Sequence, residues 1–82
     1  MKNIGPVSSR WLAGVGIHTL DELRSVGVVN AYNLLRCHGY RVSLNLLWAL
    51  QGAVMNVHWT RLPDSVKQDL RQRVMQIHET DH

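Results

Sequence analysis

The chain is most apolar along one continuous stretch, Val42-Ser43-Leu44-Asn45-Leu46-Leu47-Trp48-Ala49-Leu50-Gln51-Gly52-Ala53-Val54-Met55-Asn56-Val57. On a helical wheel its apolar side chains cover most of the circumference and leave a narrow polar strip. Ser43 is expected to cap the first turn, because its hydroxyl oxygen can accept a hydrogen bond from a free amide there. We therefore predict a central, buried helix over residues 43–57, whose apolar face comprises Leu46, Leu47, Leu50, Ala53, Val54 and Val57, widened by Leu44, Trp48 and Ala49.

This stretch lacks charge, yet it does not fit a membrane span. No Asp, Glu, Lys or Arg occurs between Val42 and Thr60. Serine, asparagine, glutamine, glycine and histidine nevertheless interrupt the apolar residues too often for a helix that faces lipid. We therefore expect a core helix and no membrane partner.

The length and the cysteine content limit the kind of protein. The chain has 82 residues, of which 45% are hydrophobic, and a single cysteine, Cys37. A domain of this size buries roughly 60–65% of its unfolded surface, which predicts one domain over residues 1–82 with a thin core. One cysteine cannot form an internal disulfide framework and favours a reducing compartment. No apolar segment with a basic flank opens the chain, so we predict a cytoplasmic protein without an export signal.

The basic residues are unevenly distributed. Nine Lys and Arg stand against six Asp and Glu, giving a formal charge of +3 and a pI near 9.6. Between Leu23 and Pro63 the only charged residues are four arginines: Arg24, Arg36, Arg41 and Arg61. This asymmetry favours an anionic partner such as DNA. Ordinary solvation of a helical surface is the alternative explanation.

Local signals around the central stretch predict four more helices. Pro6 suits a first helical position, because that position needs no amide donor. Thr19-Leu20-Asp21-Glu22 matches a capping box, in which the threonine accepts from the third amide and the glutamate bonds back to the helix start. Glycines after each apolar stripe indicate helix ends, and no segment alternates with the period of a strand. We therefore predict an all-α fold of about five short helices, at residues 6–13, 20–26, 28–38, 43–57 and 63–77.

The sequence contains no arrangement typical of an enzyme. Asp21 and Glu22 are adjacent, so they point to different helix faces, and the capping box accounts for both. Cys37 and His38 are adjacent as well, which does not place a thiol and its base on one face. The five histidines lack a zinc-ligand spacing. We predict a non-enzymatic protein with no cofactor, no metal ion and no small-molecule substrate.

The start of the chain resembles a helix-hairpin-helix segment. The resemblance rests on two runs, Asn3-Ile4-Gly5-Pro6-Val7-Ser8-Ser9-Arg10-Trp11-Leu12-Ala13 and Gly16-Ile17-His18-Thr19-Leu20-Asp21-Glu22-Leu23. Such hairpins bind phosphate through amides at a helix N-terminus. The resemblance implies that Gly5, Val7 and Ser8 supply amides and that Arg10 supplies a side-chain contact. Asn3 departs from the glycine usual at its position, and the alternative is a structural turn that packs Trp11.

A wider resemblance covers nearly the whole chain. Arg41 to Ala53, His58-Trp59 and Leu62-Pro63 are similar to the C-terminal domain of the TfoX/Sxy competence regulators. The resemblance implies the C-terminal half of a longer cytoplasmic protein that activates competence genes together with the cyclic-AMP receptor protein.

We therefore expect a regulatory domain for transcription that contacts DNA phosphate, the cyclic-AMP receptor protein or RNA polymerase. The alternative is a docking or dimerisation module that does not touch DNA. The predicted DNA-binding residues are Gly5, Val7, Ser8, Arg10, Arg36 and Arg41.

Overall fold

The computed structural model describes residues 4–80, with side chains for residues 4–75. Its α-helices are α1 (Pro6–Gly14), α2 (Leu20–Val26), α3 (Val28–Cys37), α4 (Leu44–Met55) and α5 (Asp64–Thr80), with a 3-10 helix at Trp59–Arg61 between the last two. Residues 4–80 contain no strand. The predicted all-α fold of five helices is confirmed.

Helix α4 lies at the centre, where it packs against α2, α3, α5 and the 3-10 helix. The Ser43 hydroxyl accepts from the Leu46 amide at 3.3 Å and caps the helix as predicted. Leu47 and Leu50 are fully buried. The core that forms around them also contains Leu12, Ile17, Leu23, Val28, Ala31, Tyr32, Leu35, Leu46, Ala53, Leu70 and Val74.

The apolar face of α4 is narrower than predicted. Val54 is only half-buried, and Leu44 is 39% exposed. Val57, which the sequence predicts on this face, lies beyond the end of the helix at Met55. Leu44 lies in the first turn, where α4 borders a surface groove shared with α3 and α5. A helical wheel shows which face of a helix a residue lies on. It does not show how much of that face the neighbouring helices cover.

The start of α2 carries the predicted capping box with one difference. The Glu22 amide donates to the Thr19 hydroxyl at 3.1 Å. The Glu22 carboxylate accepts from the amide of His18 at 3.2 Å, one residue before the N-cap. It also accepts from the Thr19 hydroxyl at 3.3 Å. Three short contacts therefore hold the turn between α1 and α2.

Glycine joins α2 to α3 directly. Gly27 is both the C-cap of α2 and the N-cap of α3, and its φ of 93° is accessible to glycine at little cost. Arg24, in the last turn of α2, donates to the Val54 carbonyl of α4 at 3.2 Å. Helices α2 and α3 thus pack on the central helix, and α1 packs against α3.

Helix α5 closes the fold and extends to Thr80, three residues beyond the predicted end at 77. Leu70 and Val74 pack into the core, while Asp69 and Arg73 form an ion pair at 3.1 Å on the outside. Ile77, the last residue of the predicted helix, lies outside the described side chains. Within the described chain, no helix combines the length and the apolar character needed to cross a bilayer.

Candidate nucleic-acid interface

A surface groove of about 340 Å³ runs between the first turns of α1 and α4 and the 3-10 helix. We call it the tryptophan groove. It is lined by Ser8, Trp11, Arg41, Ser43, Asn45, Leu46, Ala49 and Trp59. Among these lining residues Arg41 is charged and the others are not, so the described lining contains no carboxylate.

The start of α1 has open amide groups. Gly5 is the N-cap and makes no side-chain cap, and the first turn contains no acidic residue. Pro6 has no amide, and the Ser9 amide closes the turn on the Gly5 carbonyl at 2.9 Å. The amides of Val7 and Ser8 have no acceptor among the described residues. Donors of this kind, together with the helix dipole, attract an anion.

The start of α4 borders the same groove. Ser43 satisfies the Leu46 amide, whereas the Asn45 amide has no acceptor within the described chain. Arg41 lies two residues before the cap and is exposed. It forms no ion pair with any residue that the structure describes. Two helix N-termini and one guanidinium therefore give the groove a positive potential.

Trp11 is held in a fixed orientation by Tyr40. The two rings stack with centroids 5.1 Å apart and an interplanar angle of 21°. A Cβ atom at Gly14 would lie 2.7 Å from the Tyr40 hydroxyl oxygen, so this close packing depends on glycine. Trp11 also contacts the hydrophobic core. Trp11 therefore packs against the core and also lines the groove. The alternative role of the first turn, which is to pack Trp11, is thus compatible with a binding site at the same place.

Trp59 also lines the groove and is positioned by its neighbours. His58 Nδ1 accepts from the Thr60 amide at 3.3 Å and caps the 3-10 helix. The same nitrogen lies 2.7 Å from the Thr60 hydroxyl oxygen. Leu62, buried to 4% exposure, anchors the end of this segment.

The structure separates the predicted site residues. Ser8 and Arg41 meet in the tryptophan groove, and Gly5 and Val7 lie at the start of the same helix α1. Arg10 is exposed on α1 but is absent from the described lining of the groove.

Arg36 lies in a different groove between α3, α4 and α5, which we call the α3–α5 groove. It is lined by Tyr32, Arg36, Leu44, Arg71, Val74 and Met75. The arginines spread along the sequence therefore do not form one contiguous site.

Sequence reasoning missed the part that Trp59 plays. The sequence predicts a turn over residues 58–61, with one turn of helix as the alternative, and assigns Trp59 no function; the structure forms a turn of 3-10 helix at Trp59–Arg61. The sequence signal for this residue is that Trp59 stands between two polar residues, His58 and Thr60. A large aromatic residue outside an apolar stripe has no evident place in a core. Asn3, the departure from the hairpin pattern, lies outside the described residues, so the helix-hairpin-helix assignment stays a prediction.

No group of three or more His, Cys, Asp or Glu side chains in the described region is arranged to hold a metal ion. Cys37 is a free, exposed thiol. The polar groups of the tryptophan groove include amides, hydroxyls and the guanidinium of Arg41. The guanidinium and the backbone N–H groups are donors only, and the guanidinium is the charged group among them.

Known proteins are similar to this chain in sequence and in structure. The DNA transformation protein TfoX1 of Aliivibrio fischeri is 31% identical over 75 residues, which make up 90% of this chain and 36% of that protein. The chain thus spans about a third of the length of that curated relative. Two crystal structures from Listeria monocytogenes share the fold, one titled an uncharacterized protein and the other a protein of unknown function.

The structural agreement is close. The first Listeria structure has a TM-score of 0.87 and 31% identity, covering 95% of this chain and 89% of that one. The second has a TM-score of 0.82 and 33% identity, covering 88% of this chain and 89% of that one. A family model described as the TfoX C-terminal domain matches residues 1–74, which include every residue of the tryptophan groove. On this match the chain belongs to the TfoX C-terminal domain family.

Proposed function

We propose that this chain is a non-enzymatic regulatory domain of a competence regulator and that it contacts DNA phosphate at the tryptophan groove. One observation carries the proposal: two helix N-termini and Arg41 border a groove whose described lining has no carboxylate. The family membership and the name of the Aliivibrio relative support a role in DNA transformation. Such a regulator acts in the cytoplasm, in keeping with the free thiol of Cys37.

The groove is suited to phosphate rather than to base edges. Backbone amides and helix dipoles bind an anion whatever the nucleotide sequence. A guanidinium adds charge-assisted hydrogen bonds to the phosphate oxygens. The domain would therefore supply affinity for DNA, and the choice of promoter would rest with a partner such as the cyclic-AMP receptor protein or RNA polymerase.

An amide NMR titration with a short random-sequence duplex, at roughly 50 and 200 mM salt, tests the proposal. We expect the amides of Val7, Ser8 and Asn45 to shift at the lower salt and to return at the higher salt, because phosphate binding releases counterions. A spectrum that does not change at either concentration would refute contact with duplex DNA.

Two arginines provide a matched pair of variants. Arg41→Gln and Arg61→Gln remove the same charge, and both side chains are exposed without an ion pair among the described residues. Arg41 lines the groove, whereas Arg61 lies on the far side of the 3-10 helix beside Asn56 and Val57. We expect Arg41→Gln to weaken duplex binding severalfold and to lower the salt slope by about one. Equal losses in both variants would mean that only net charge matters, and Arg10→Ala tests the exposed side of α1 in the same way.

A protein-docking role is the second candidate, and the α3–α5 groove favours it. Leu44 and Met75 are 39% and 51% exposed there, beside Arg71. Exposed apolar side chains with basic neighbours suit a protein partner. Saturable binding to the cyclic-AMP receptor protein or RNA polymerase without DNA, weakened by Met75→Ser, would support this role. Sedimentation that shows a monomer at all concentrations would exclude a dimerisation module.

A further inference from the structure

We infer that the tryptophan groove accepts unpaired bases, so that the domain prefers single-stranded DNA to a duplex. The inference rests on the proposed contact with DNA phosphate and adds which form of DNA the groove selects. The preference for a single strand depends on the aromatic side chains that line the groove, rather than on the charge of the groove.

The position of Trp59 is the first argument. Of the three tryptophans, all within the described part of the chain, Trp11 and Trp48 pack against the core and Trp59 does not. A small domain with a thin core gains stability from each aromatic residue that it buries. Trp59 instead forms part of a surface groove beside Arg41. Packing of the core therefore does not account for this tryptophan. Its ring stacks on that of His58, with centroids 6.1 Å apart and 27° between the planes. His58 is absent from the described lining of the groove, so a ligand with an aromatic face would stack on the side of the ring that lines the groove.

The fixed orientation of the two tryptophans that line the groove is the second argument. Tyr40 stacks on Trp11, and the His58 cap together with buried Leu62 holds the segment that bears Trp59. Rings that are already oriented lose little side-chain entropy when a ligand binds. The groove is therefore preorganised for stacking.

The form of the DNA follows from which surfaces it exposes. In a duplex each base face is covered by its neighbours, so a protein meets phosphates and base edges. In a single strand the faces are free and stack on aromatic side chains, while basic groups follow the backbone. The tryptophan groove provides both elements within one site: the ring of Trp59 for a base, and Arg41 with the open amide of Ser8 for the adjoining phosphate.

Fluorescence anisotropy tests the inference with three labelled probes of about eight nucleotides, within the site sizes of single-strand binding modules. The probes are an oligothymidylate, a duplex of the same length and an abasic single strand, all at roughly 50 mM salt. We expect the oligothymidylate to bind about tenfold more tightly than either of the others, since that factor falls within the range that stacking of one base supplies.

Variants at Trp59 separate stacking from apolar contact. Trp59→Leu keeps an apolar side chain without a ring face and is expected to reduce the preference for the single strand about tenfold. Trp59→Phe keeps a ring and should retain most of the preference. Arg61→Gln, outside the groove, serves as the control that leaves the preference unchanged. Circular dichroism of each variant confirms that it is folded.

The outcomes distinguish this inference from the proposed function. If none of the three probes binds, both fail. If the duplex and the oligothymidylate bind equally and Trp59→Leu affects them alike, the inference is overturned while DNA contact stands. If an oligouridylate of the same length binds more tightly than the oligothymidylate, the ligand is RNA and the assignment to DNA is overturned.

Discussion

The core around α4 and the tryptophan groove use opposite sides of the same helix for different purposes. On one side Leu47 and Leu50 are fully buried, and no polar or charged residue is buried with them among the described residues. On the other side Asn45 and Ala49 line a groove with open amides. Leu46, which is 8% exposed, belongs to both regions. Stability and binding therefore rest on largely separate residues, so substitutions can change one without the other.

Two helix starts show the same contrast on a smaller scale. At α2 the Thr19 hydroxyl accepts from the Glu22 amide, and Asp21 and Glu22 place negative charge at the helix end. At α1 no side chain caps the helix, and the first turn has no acid. Satisfied donors contribute to the fold, whereas open donors remain free for a ligand. The α2 start is therefore structural, and the α1 start fits a binding site.

The largest effect is expected from the core. Leu47→Ala should lower the free energy of unfolding by about 2–5 kcal/mol, because it loses buried apolar contact and leaves a cavity. Leu44→Ala on the same helix is the matched control and should change stability by less than about 0.5 kcal/mol, since Leu44 is 39% exposed. Urea denaturation measures both. A small loss at Leu47 would mean that α4 does not form the core.

The next effect separates the two helix starts. Thr19→Ala should cost about 1 kcal/mol of stability, because the Glu22 amide loses its acceptor. Thr19→Ser keeps the hydroxyl and should recover most of that loss. DNA affinity of the folded protein is expected to be the same in both variants. A selective loss of affinity in Thr19→Ala would show that the α2 start also takes part in binding.

Sequence reasoning succeeded where the physical cause is local. The Ser43 cap, the Thr19–Glu22 box and the apolar side of α4 each depend on residues within about two turns of helix, so their spacing alone predicts them. These features are enough to establish an all-α fold around α4. They also predict that Gly5 and Pro6 begin a helix, as the structure shows.

The candidate site depends on contacts that no local pattern contains. Arg36 and Arg41 are five residues apart in the sequence, yet they lie in different grooves, because a change of helix direction falls between them. Ser8 and Trp59 line one groove although they are far apart along the chain. Charge spacing could therefore predict a basic protein but not which basic residues share a surface.

The smallest change in stability is expected for a substitution at Gly5, and it tests whether the start of α1 differs in function from the start of α2. Gly5 has an extended backbone with φ of −77°, and an added Cβ atom would have no neighbour within 4 Å. Gly5→Ser should therefore fit without strain and stabilise the protein by a few tenths of a kcal/mol.

In this variant the new hydroxyl accepts from the Ser8 amide, as an N-cap side chain does. The amide proposed to hold phosphate would then be occupied, so the variant should be more stable and bind DNA more weakly. Gly5→Ala adds a carbon atom without an acceptor and is the matched control, which should bind more tightly than Gly5→Ser. Thermal unfolding and duplex anisotropy measure the two quantities in parallel. If Gly5→Ser binds DNA as tightly as Gly5→Ala, the α1 amides do not hold phosphate, and the start of α1 is as structural as the start of α2.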